Sequence, residues 1–423
     1  VYFSVYDPLG SGSLWKTDGT DSGTLLVKES TRPEELIAFN NILFFSESGS
    51  RLWRTDGTED GTKLFTFTPG LGPYGCQNFT IVGNTLYFTS YDELWKTDGS
   101  ESGTVRIKAG LSNYSSFCAV GQYLYFVNDD GTHGAELRRS DGTTAGTTMV
   151  YETYLGGYAS PLTGLTDING QLFFTRVNGD ILYKFNGASA TEIIGEGVEE
   201  PSVLFAFNNI LYFSAWRIKA GTTTHFPELW RSDGTEAGTY MLTNTGITTG
   251  SSSPYNFTII SNRLYFNAGT ENGWALFSSD GTCEGTTYAG ESGQLAAPLG
   301  NTGVALFVDD DELWKTDGTE TGSFLVKDIR PGVDGPSILH MTPVGASTYF
   351  TVDDGAVGRE LWKTDGTTAG TVPVKDIRPG AASTSISDLV DFKGQLFFVA
   401  NDGTHGDELW KTDGTDAGTT MIK

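Results

Sequence analysis

The chain has 423 residues, of which 27 are basic and 52 are acidic, so its formal net charge is −25. This charge repels a phosphate backbone, so nucleic acid is excluded as an expected partner, and anionic membrane surfaces are disfavoured. No apolar stretch approaches the roughly 18 residues that a spanning helix needs, so membrane insertion is not expected. The 55 glycines are typical of a turn-rich, all-β protein.

A sequence motif returns along the whole chain. Its first copy reads Leu-Trp-Lys-Thr-Asp-Gly-Thr from Leu14 to Thr20 and is followed by Gly23 and Thr24. Consecutive copies are 37 to 48 residues apart, the extremes being the steps from Phe277 to Trp314 and from Trp314 to Trp362. Ten copies align on one position, which is filled by Trp15, Trp53, Trp95, Arg138, Tyr183, Trp230, Phe277, Trp314, Trp362 and Trp410.

An apolar triplet of the Leu-Tyr-Phe type precedes each motif, and the ten triplets end at Phe3, Phe45, Phe88, Phe126, Phe174, Phe213, Phe266, Phe307, Phe350 and Phe398. A period of about 44 residues with four short strands in each repeat predicts a β-propeller. We therefore expect an all-β fold of ten four-stranded repeats, with residues 1–423 forming one repeat domain. A single ten-bladed ring is favoured, because no Pro/Ser-rich linker interrupts the middle of the chain. Two five-bladed rings and an open array are the alternatives.

The ends of the sequence fall inside repeats. Val1 lies in a predicted second strand, and Lys423 lies at the end of a predicted fourth strand. The sequence is therefore expected to be a piece of a longer polypeptide, or a ring whose closing blade has three strands.

The last repeat shows the predicted strands most clearly. Residues 388–393 and 396–400 alternate or are rich in β-forming side chains, and residues 408–412 and 419–423 follow after Gly-rich turns. No segment has the 3.6-residue period of a helix. Side chains alternate along a strand, so the Leu and Trp of each motif point to opposite faces. Both faces must be buried, as they are in a blade between two neighbours.

The Asp of the Asp-Gly pair is predicted to form a turn, because its carboxylate can accept backbone N–H groups. Acidic clusters between second and third strands are the best candidates for a cofactor, which would be calcium, since hard cations need several oxygens from a bent loop. These clusters lack EF-hand spacing, so acidic turns that face water are the alternative. The calcium candidates are Asp129, Asp130, Asp309, Asp310, Asp311, Asp353 and Asp354.

Three cysteines are an odd number, so they cannot all pair within the chain. Cys76 and Cys118 lie near comparable strands of adjoining repeats, so a bridge between them is possible, with free thiols as the alternative.

The string Glu-Leu-Trp-x-x-Asp-Gly-Thr is intact from Glu228, Glu312, Glu360 and Glu408, and the copy from Glu93 ends in Ser100. It resembles the ELWxxDGT-repeat family of bacterial secreted and cell-surface proteins, and the resemblance covers essentially the whole chain. The resemblance implies an extracellular or surface-attached repeat domain, and it implies no reaction, because the family has no shared catalytic residues. The chain departs from the pattern at Arg138 and at Asn186-Gly187-Ala188, so the fifth motif is expected to form a distorted blade or a contact site.

A non-enzymatic structural or adhesive module is the predicted function, with cells, glycans, proteins or neighbouring subunits as partners and a homo-oligomer or fibre as a further possibility. Repeat proteins present varied loops on a rigid body. The segment from Trp216 to Pro227 expands one hairpin, and its candidate binding residues are Trp216, Arg217, His225 and Phe226. The alternative function is a polysaccharide-active enzyme or lectin with its site at the mouth of the propeller channel.

Overall fold

The computed structural model describes residues 1–6, 12–20, 22–29, 31–47, 51–65, 75–129, 135–152, 162–176, 181–193, 198–218, 225–242, 252–291, 294–310, 312–331 and 338–422. These residues form 39 β-strands and one 3-10 turn, Glu320–Gly322, and no α-helix occurs among them. Within these ranges no helix is long and apolar enough to cross a membrane.

The strands form ten antiparallel sheets, each built from strands consecutive in the chain. Blade 1 has three strands, β1 (Tyr2–Tyr6), β2 (Gly12–Lys16) and β3 (Leu25–Lys28). Blade 2 contains β4 (Pro33–Phe39), β5 (Ile42–Glu47), β6 (Arg51–Thr55) and β7 (Lys63–Leu64). Blade 3 contains β8 (Cys76–Val82), β9 (Thr85–Ser90), β10 (Glu93–Thr97) and β11 (Val105–Lys108). Blade 4 contains β12 (Ser112–Val120), β13 (Tyr123–Asp129), β14 (Ala135–Ser140) and β15 (Thr148–Tyr151).

Blades 5 to 7 repeat the same order of strands. Blade 5 contains β16 (Leu162–Ile168), β17 (Gln171–Arg176), β18 (Leu182–Phe185) and β19 (Ala190–Ile193). Blade 6 contains β20 (Glu199–Phe207), β21 (Ile210–Ile218), β22 (His225–Ser232) and β23 (Tyr240–Met241). Blade 7 contains β24 (Tyr255–Ile260), β25 (Arg263–Thr270), β26 (Gly273–Ser279) and β27 (Thr287–Glu291).

Blades 8 to 10 complete the series. Blade 8 contains β28 (Gln294–Pro298), β29 (Ala305–Asp309), β30 (Glu312–Thr316) and β31 (Phe324–Lys327). Blade 9 contains β32 (Leu339–Val344), β33 (Ser347–Asp353), β34 (Arg359–Thr364) and β35 (Val372–Lys375). Blade 10 contains β36 (Ile386–Phe392), β37 (Gln395–Asn401), β38 (Asp407–Thr412) and β39 (Thr420–Met421).

The predicted fold class is confirmed: the protein is all-β, and its ten sheets are the blades of a β-propeller. The four strands predicted in the last repeat are present, although the fourth covers only Thr420–Met421. The chain divides into two compact bodies. The first body contains residues 1–18, 22–216 and 232–240, and the second contains residues 19–21, 217–231 and 241–423.

The two faces of a motif strand are buried against different blades. In the first body, Leu94 of blade 3 lies in a cluster with Leu124 and Phe126 of blade 4. Its neighbour Trp95 lies in a cluster with Phe44 and Phe65 of blade 2. In the second body, blade 9 repeats this arrangement, with Leu361 clustered with blade 10 and Trp362 with blade 8. The prediction that both faces are buried is therefore confirmed, and each fully buried ring contributes roughly 1.5–3 kcal/mol.

A bulge in the fourth strand adds one more apolar residue to the core. Leu94 pairs with Lys108, but Trp95 pairs with Arg106, so Ile107 is opposite neither. Ile107 is 3% exposed, and the equivalent residues Val27, Val326 and Val374 are buried as well. A bulge turns one side chain out of the regular alternation. It therefore lets an otherwise exposed strand contribute to the packing between blades.

Candidate functional site

The motif carboxylate is used inside its own turn. In blade 9, Asp365 Oδ1 accepts hydrogen bonds from Thr367 N (2.9 Å) and Thr367 Oγ1 (2.7 Å). Both bonds lower the pKa of Asp365, because they stabilise the charged form. Gly370 N donates to Thr367 Oγ1, and the pattern recurs at Asp56, Asp98, Asp141, Asp233, Asp280, Asp317 and Asp413. These bonds confirm the prediction that the Asp forms the turn.

The second glycine of the motif makes room for that carboxylate. A Cβ added to Gly370 would lie 2.0 Å from Asp365 Oδ1, closer than two unbonded atoms can approach. The same overlap would occur at Gly23, Gly61, Gly103, Gly146, Gly238, Gly285, Gly322 and Gly418. The Gly-Thr pair that follows each Asp-Gly-Thr is therefore part of the same turn.

The basic residue after the motif aromatic connects consecutive blades. Lys315 Nζ of blade 8 donates to the carbonyl oxygen of Gly366 in the motif turn of blade 9, at 2.9 Å. The same bond joins Arg54 to Gly99, Arg139 to Gly187, Lys184 to Gly234 and Arg231 to Gly281 in consecutive blades. Within the second body it also joins Lys411 to Gly19. We call this contact the lysine latch, although Arg fills the position in three of the six bonds.

The motif glutamate also has a structural partner. Glu360 is fully buried, and its carboxylate accepts hydrogen bonds from Ile377 N (3.0 Å) and Thr384 Oγ1 in the connector to blade 10. Burial raises the pKa of Glu360 to about 7. In blade 6, the buried Glu228 accepts a hydrogen bond from Ser252 Oγ in the same way. These contacts use the motif residues for folding, so a ligand site is expected elsewhere.

The calcium candidates do not converge on a metal site in the described part of the chain, where no group of three or more His, Cys, Asp or Glu side chains could hold an ion. Asp353 and Asp354 instead accept hydrogen bonds from the backbone of their own turn, at Gly355 and Ala356. Asp129 ends β13, and Asp130 and Asp311 lie outside the described residues. Asp309 and Asp310 line a cleft.

That cleft lies between blades 7 and 8, within the second body, and has a volume of about 570 Å³. Trp274 at the start of β26 forms one wall and is 48% exposed. Its ring packs edge-on against Tyr255, with centroids 5.1 Å apart and planes at 87°. Contact with Tyr255 of β24, two strands away in the same blade, therefore holds the Trp274 ring while much of its surface stays open to solvent. We call this site the Trp274 cleft.

The other walls of the Trp274 cleft are acidic. Glu291, Asp309, Asp310 and Glu320 line it together with Tyr288, and none of its described lining residues is basic. Burial and the charges of Asp310 and Glu291 raise the pKa of Asp309 to about 6. Burial and the charges of Glu291, Asp309 and Glu320 raise the pKa of Tyr288 to about 12. The cleft therefore has a negative potential that favours neutral or cationic ligands.

Trp274 was missed in the sequence, although alignment of the repeats contains a signal for it. Trp274 stands two residues before the motif leucine Leu276, where other repeats have Asp92, Arg359 or Asp407. A large aromatic residue at a position that is elsewhere charged is a departure from the repeat pattern. The pairing of this tryptophan with the carboxylates of blade 8 could not be read from that departure, because it depends on packing between blades.

The predicted Trp216 site is only partly described. Trp216 is half-buried in β21 and lines a smaller cleft of about 340 Å³ in the first body, together with Thr163, Arg176 and Val203. Arg217 lies in β21, and His225 and Phe226 lie in β22, but their side chains are outside the described part of the structure. The prediction that these four residues bind a ligand stays a prediction.

All three cysteines are free thiols. Cys76 is fully buried in the core between blades 2 and 3, and burial raises its pKa to about 12. Burial likewise raises the pKa of Cys118 to about 11. The possible bridge between Cys76 and Cys118 is therefore absent, and both thiols are strongly held in the unreactive protonated form.

No protein-family model and no curated protein matches the chain. Solved structures are similar to the chain at low identity and with TM-scores below 0.5. A computationally designed protein, Ika8, is 15% identical with a TM-score of 0.41, and the match covers 78% of this chain and 95% of that one. A prolyl endopeptidase is 13% identical with a TM-score of 0.42, and the match covers 88% of this chain and 54% of that one. A puromycin hydrolase is 14% identical with a TM-score of 0.34, and the match covers 74% of this chain and 53% of that one. This chain thus matches about half the length of each peptidase, and the likeness concerns the fold alone.

Proposed function

We propose that this chain is a non-enzymatic binding module of the ELWxxDGT-repeat type, acting outside the cell or on its surface, and that the Trp274 cleft binds a glycan. The propeller fold is consistent with a binding module. The observation that carries the proposal is the open Trp274 ring in a cleft with polar walls. Ligand pockets commonly combine aromatic surface with a few polar groups that fix orientation.

The chemistry of the Trp274 cleft suits a sugar. The apolar C–H face of a pyranose ring can lie on the Trp274 indole, which offers a large flat surface. Its hydroxyl groups can donate hydrogen bonds to Glu291, Asp310 or Glu320, and hydrogen bonds to charged acceptors are stronger than neutral ones. A protonated amino sugar gains a further cation–π contact. Uronic acids and sulfated sugars meet four carboxylates and are disfavoured.

Binding measurements with the full chain test this proposal. Calorimetric titration with neutral, amino and uronic oligosaccharides should show binding of the first two classes and not of the third. Trp274→Ala should weaken that binding about ten-fold or more, as removal of a central aromatic contact commonly does. Tyr91→Ala is the matched control, because Tyr91 is 73% exposed and lies in blade 3. Equal binding by the wild type and Trp274→Ala would remove this cleft from the proposed function.

A polysaccharide-active enzyme is the second candidate, and the raised pKa of Asp309 favours it. A carboxyl group with a pKa of about 6 beside other carboxyl groups is the arrangement that glycosidases use for acid catalysis. Under this alternative, oligosaccharides that bind the wild type are cleaved on prolonged incubation, and Asp309→Asn binds them without cleavage. Intact oligosaccharides after incubation with the wild type would contradict it.

A further inference from the structure

The motif turn of blade 5 differs chemically from the other nine. Asn186 replaces the turn aspartate, Phe185 replaces the threonine or serine one residue earlier, and Ala188 follows Gly187. The Asn186 side chain is exposed, and its Oδ1 accepts hydrogen bonds from Ala188 N and Ser189 N, both at 3.0 Å. The side-chain amide is therefore held against the backbone that follows it, with its carbonyl polarised by two donors.

Phe185 lacks the hydroxyl group that accepts a hydrogen bond from the equivalent glycine nitrogen in other motif turns. In blade 9, the equivalent Gly366 N donates to Thr364 Oγ1 at 2.9 Å. The same bond is made by Gly57, Gly99, Gly142, Gly234, Gly281, Gly318 and Gly414. Phe185 has no hydroxyl, and the hydrogen bonds of the described residues include none from Gly187 N. Gly187 also has no Cβ to shield its nitrogen, and nothing lies within 4 Å of the place where one would be.

We propose that the Asn186-Gly187 peptide is a site of spontaneous deamidation. The Gly187 nitrogen, after losing its proton to solvent base, attacks the Asn186 side-chain carbonyl carbon. A new C–N bond closes a succinimide ring, and the side-chain nitrogen leaves as ammonia after taking a proton. Water then opens the ring at either carbonyl and yields aspartate or isoaspartate. No oxidant, metal or further reactant is consumed.

The two products have different structural consequences. Aspartate at position 186 restores the residue found in the other nine motif turns, and in blade 9 its carboxylate accepts the backbone N–H two residues later, as Asn186 Oδ1 does from Ala188. Isoaspartate lengthens the main chain by one carbon atom just before Gly187. The carbonyl oxygen of Gly187 accepts the lysine latch from Arg139 at 3.1 Å, so this product displaces the acceptor and loosens blade 4 from blade 5.

The chain supplies an internal control at Asn169-Gly170. This Asn-Gly pair forms the turn between β16 and β17, but Gly170 N donates to Asp167 Oδ1 at 2.9 Å. Breaking a hydrogen bond worth about 1 kcal/mol before attack slows the reaction roughly 5-fold. Peptide mapping of the folded full chain during incubation at rising pH should therefore show amide-to-acid conversion at Asn186 at least roughly 5-fold faster than at Asn169. The rate should rise with pH, because the attacking nitrogen must lose a proton.

Two variants separate deamidation at Asn186 from its effect on the stability of the protein. Asn186→Asp provides the aspartate product directly and is expected to keep the thermal midpoint of the wild type. Asn186→Ser cannot deamidate at this position and should keep its midpoint through the same incubation. Aged wild type should lose stability relative to Asn186→Asp, in proportion to its isoaspartate content. An unmodified Asn186 after incubation, or conversion as slow as that of Asn169, would overturn the proposal.

Discussion

The motif turn of blade 9 and the Trp274 cleft contain the same kinds of side chain, carboxylates beside aromatic rings, but use them in opposite ways. In the turn, Asp365 is bonded to Thr367 and Trp362 is buried between blades. In the cleft, Trp274 is nearly half exposed, and Asp309 faces other carboxylates. The comparison teaches that the repeated residues of this protein stabilise the fold, while a residue that breaks the repeat, Trp274, lines the cleft to which we assign binding.

The largest contrast is expected between two tryptophans. Trp362→Ala should lower the free energy of unfolding by about 3–5 kcal/mol, because it empties a fully packed site between blades. Trp274→Ala should lower it by less than about 1 kcal/mol, since nearly half of this side chain is already exposed to solvent. Urea unfolding of both variants measures the difference, and similar losses would show that the Trp274 cleft is part of the core.

The second glycine of the motif gives the next largest effect. Gly370→Ala should cost about 1–3 kcal/mol, because the new Cβ overlaps the Asp365 carboxylate and the turn must shift. Combining it with Asp365→Ala tests the cause. If the clash is responsible, the two losses are less than additive, as expected for residues in contact. Strict additivity would mean that Gly370 is required for another reason.

A pH effect distinguishes the buried motif glutamate from the exposed acids. The pKa of Glu360 is raised from its ordinary value of 4.5 to about 7, so the folded state binds the proton more tightly than the unfolded state. Its stabilising contribution is therefore present below about pH 4.5 and is lost as the pH rises through about 7. Glu360→Gln should remove this dependence from the thermal midpoint. A variant that still loses stability over the same range as the wild type would assign the effect to other groups.

The smallest effect is expected on ligand affinity at Asp309. Binding of an amino sugar should weaken as the pH falls through about 6, because Asp309 then becomes protonated and loses its negative charge. Asp309→Asn should bind the amino sugar a few-fold more weakly at neutral pH, a loss of roughly 1 kcal/mol for one screened charge. Its affinity should also depend less on pH than that of the wild type. Neutral sugars are the control, since their binding should change little over this range.

The fold was predictable because the same pattern of apolar and turn residues recurs in ten copies of the repeat. The alternation of Leu361 and Trp362 required two buried faces, and both blades that cover them are present. The role of Gly370 was not predicted, since its necessity depends on where the Asp365 carboxylate lies after the turn has closed. Bulged residues such as Ile107 were also missed, because a bulge breaks the two-residue period on which strand patterns are recognised.

The candidate site was less predictable than the fold. The expanded hairpin pointed to Trp216, which does line a cleft, and ligand binding by this residue stays a prediction. Trp274 and Asp309 lie in different repeats, 35 positions apart, and only the packing of β26 against blade 8 brings them to one cleft. A sequence pattern within a single repeat does not show which residues of two different repeats come close in space. Asp309 and Asp310 were singled out for calcium, which stays a prediction, and the structure places them beside an aromatic wall.

The lysine latch affects how a chain of this kind can evolve by gaining, losing or exchanging repeats. Its donor is a side chain of one repeat, but its acceptor is a main-chain carbonyl of the next, as in the bond from Lys315 to Gly366. A main-chain acceptor is present whatever the sequence of the neighbouring turn, and even the divergent fifth turn accepts Arg139 through Gly187. Duplication, loss or exchange of whole repeats therefore needs no matching substitution at this contact, and individual repeats can acquire new surface chemistry without losing it.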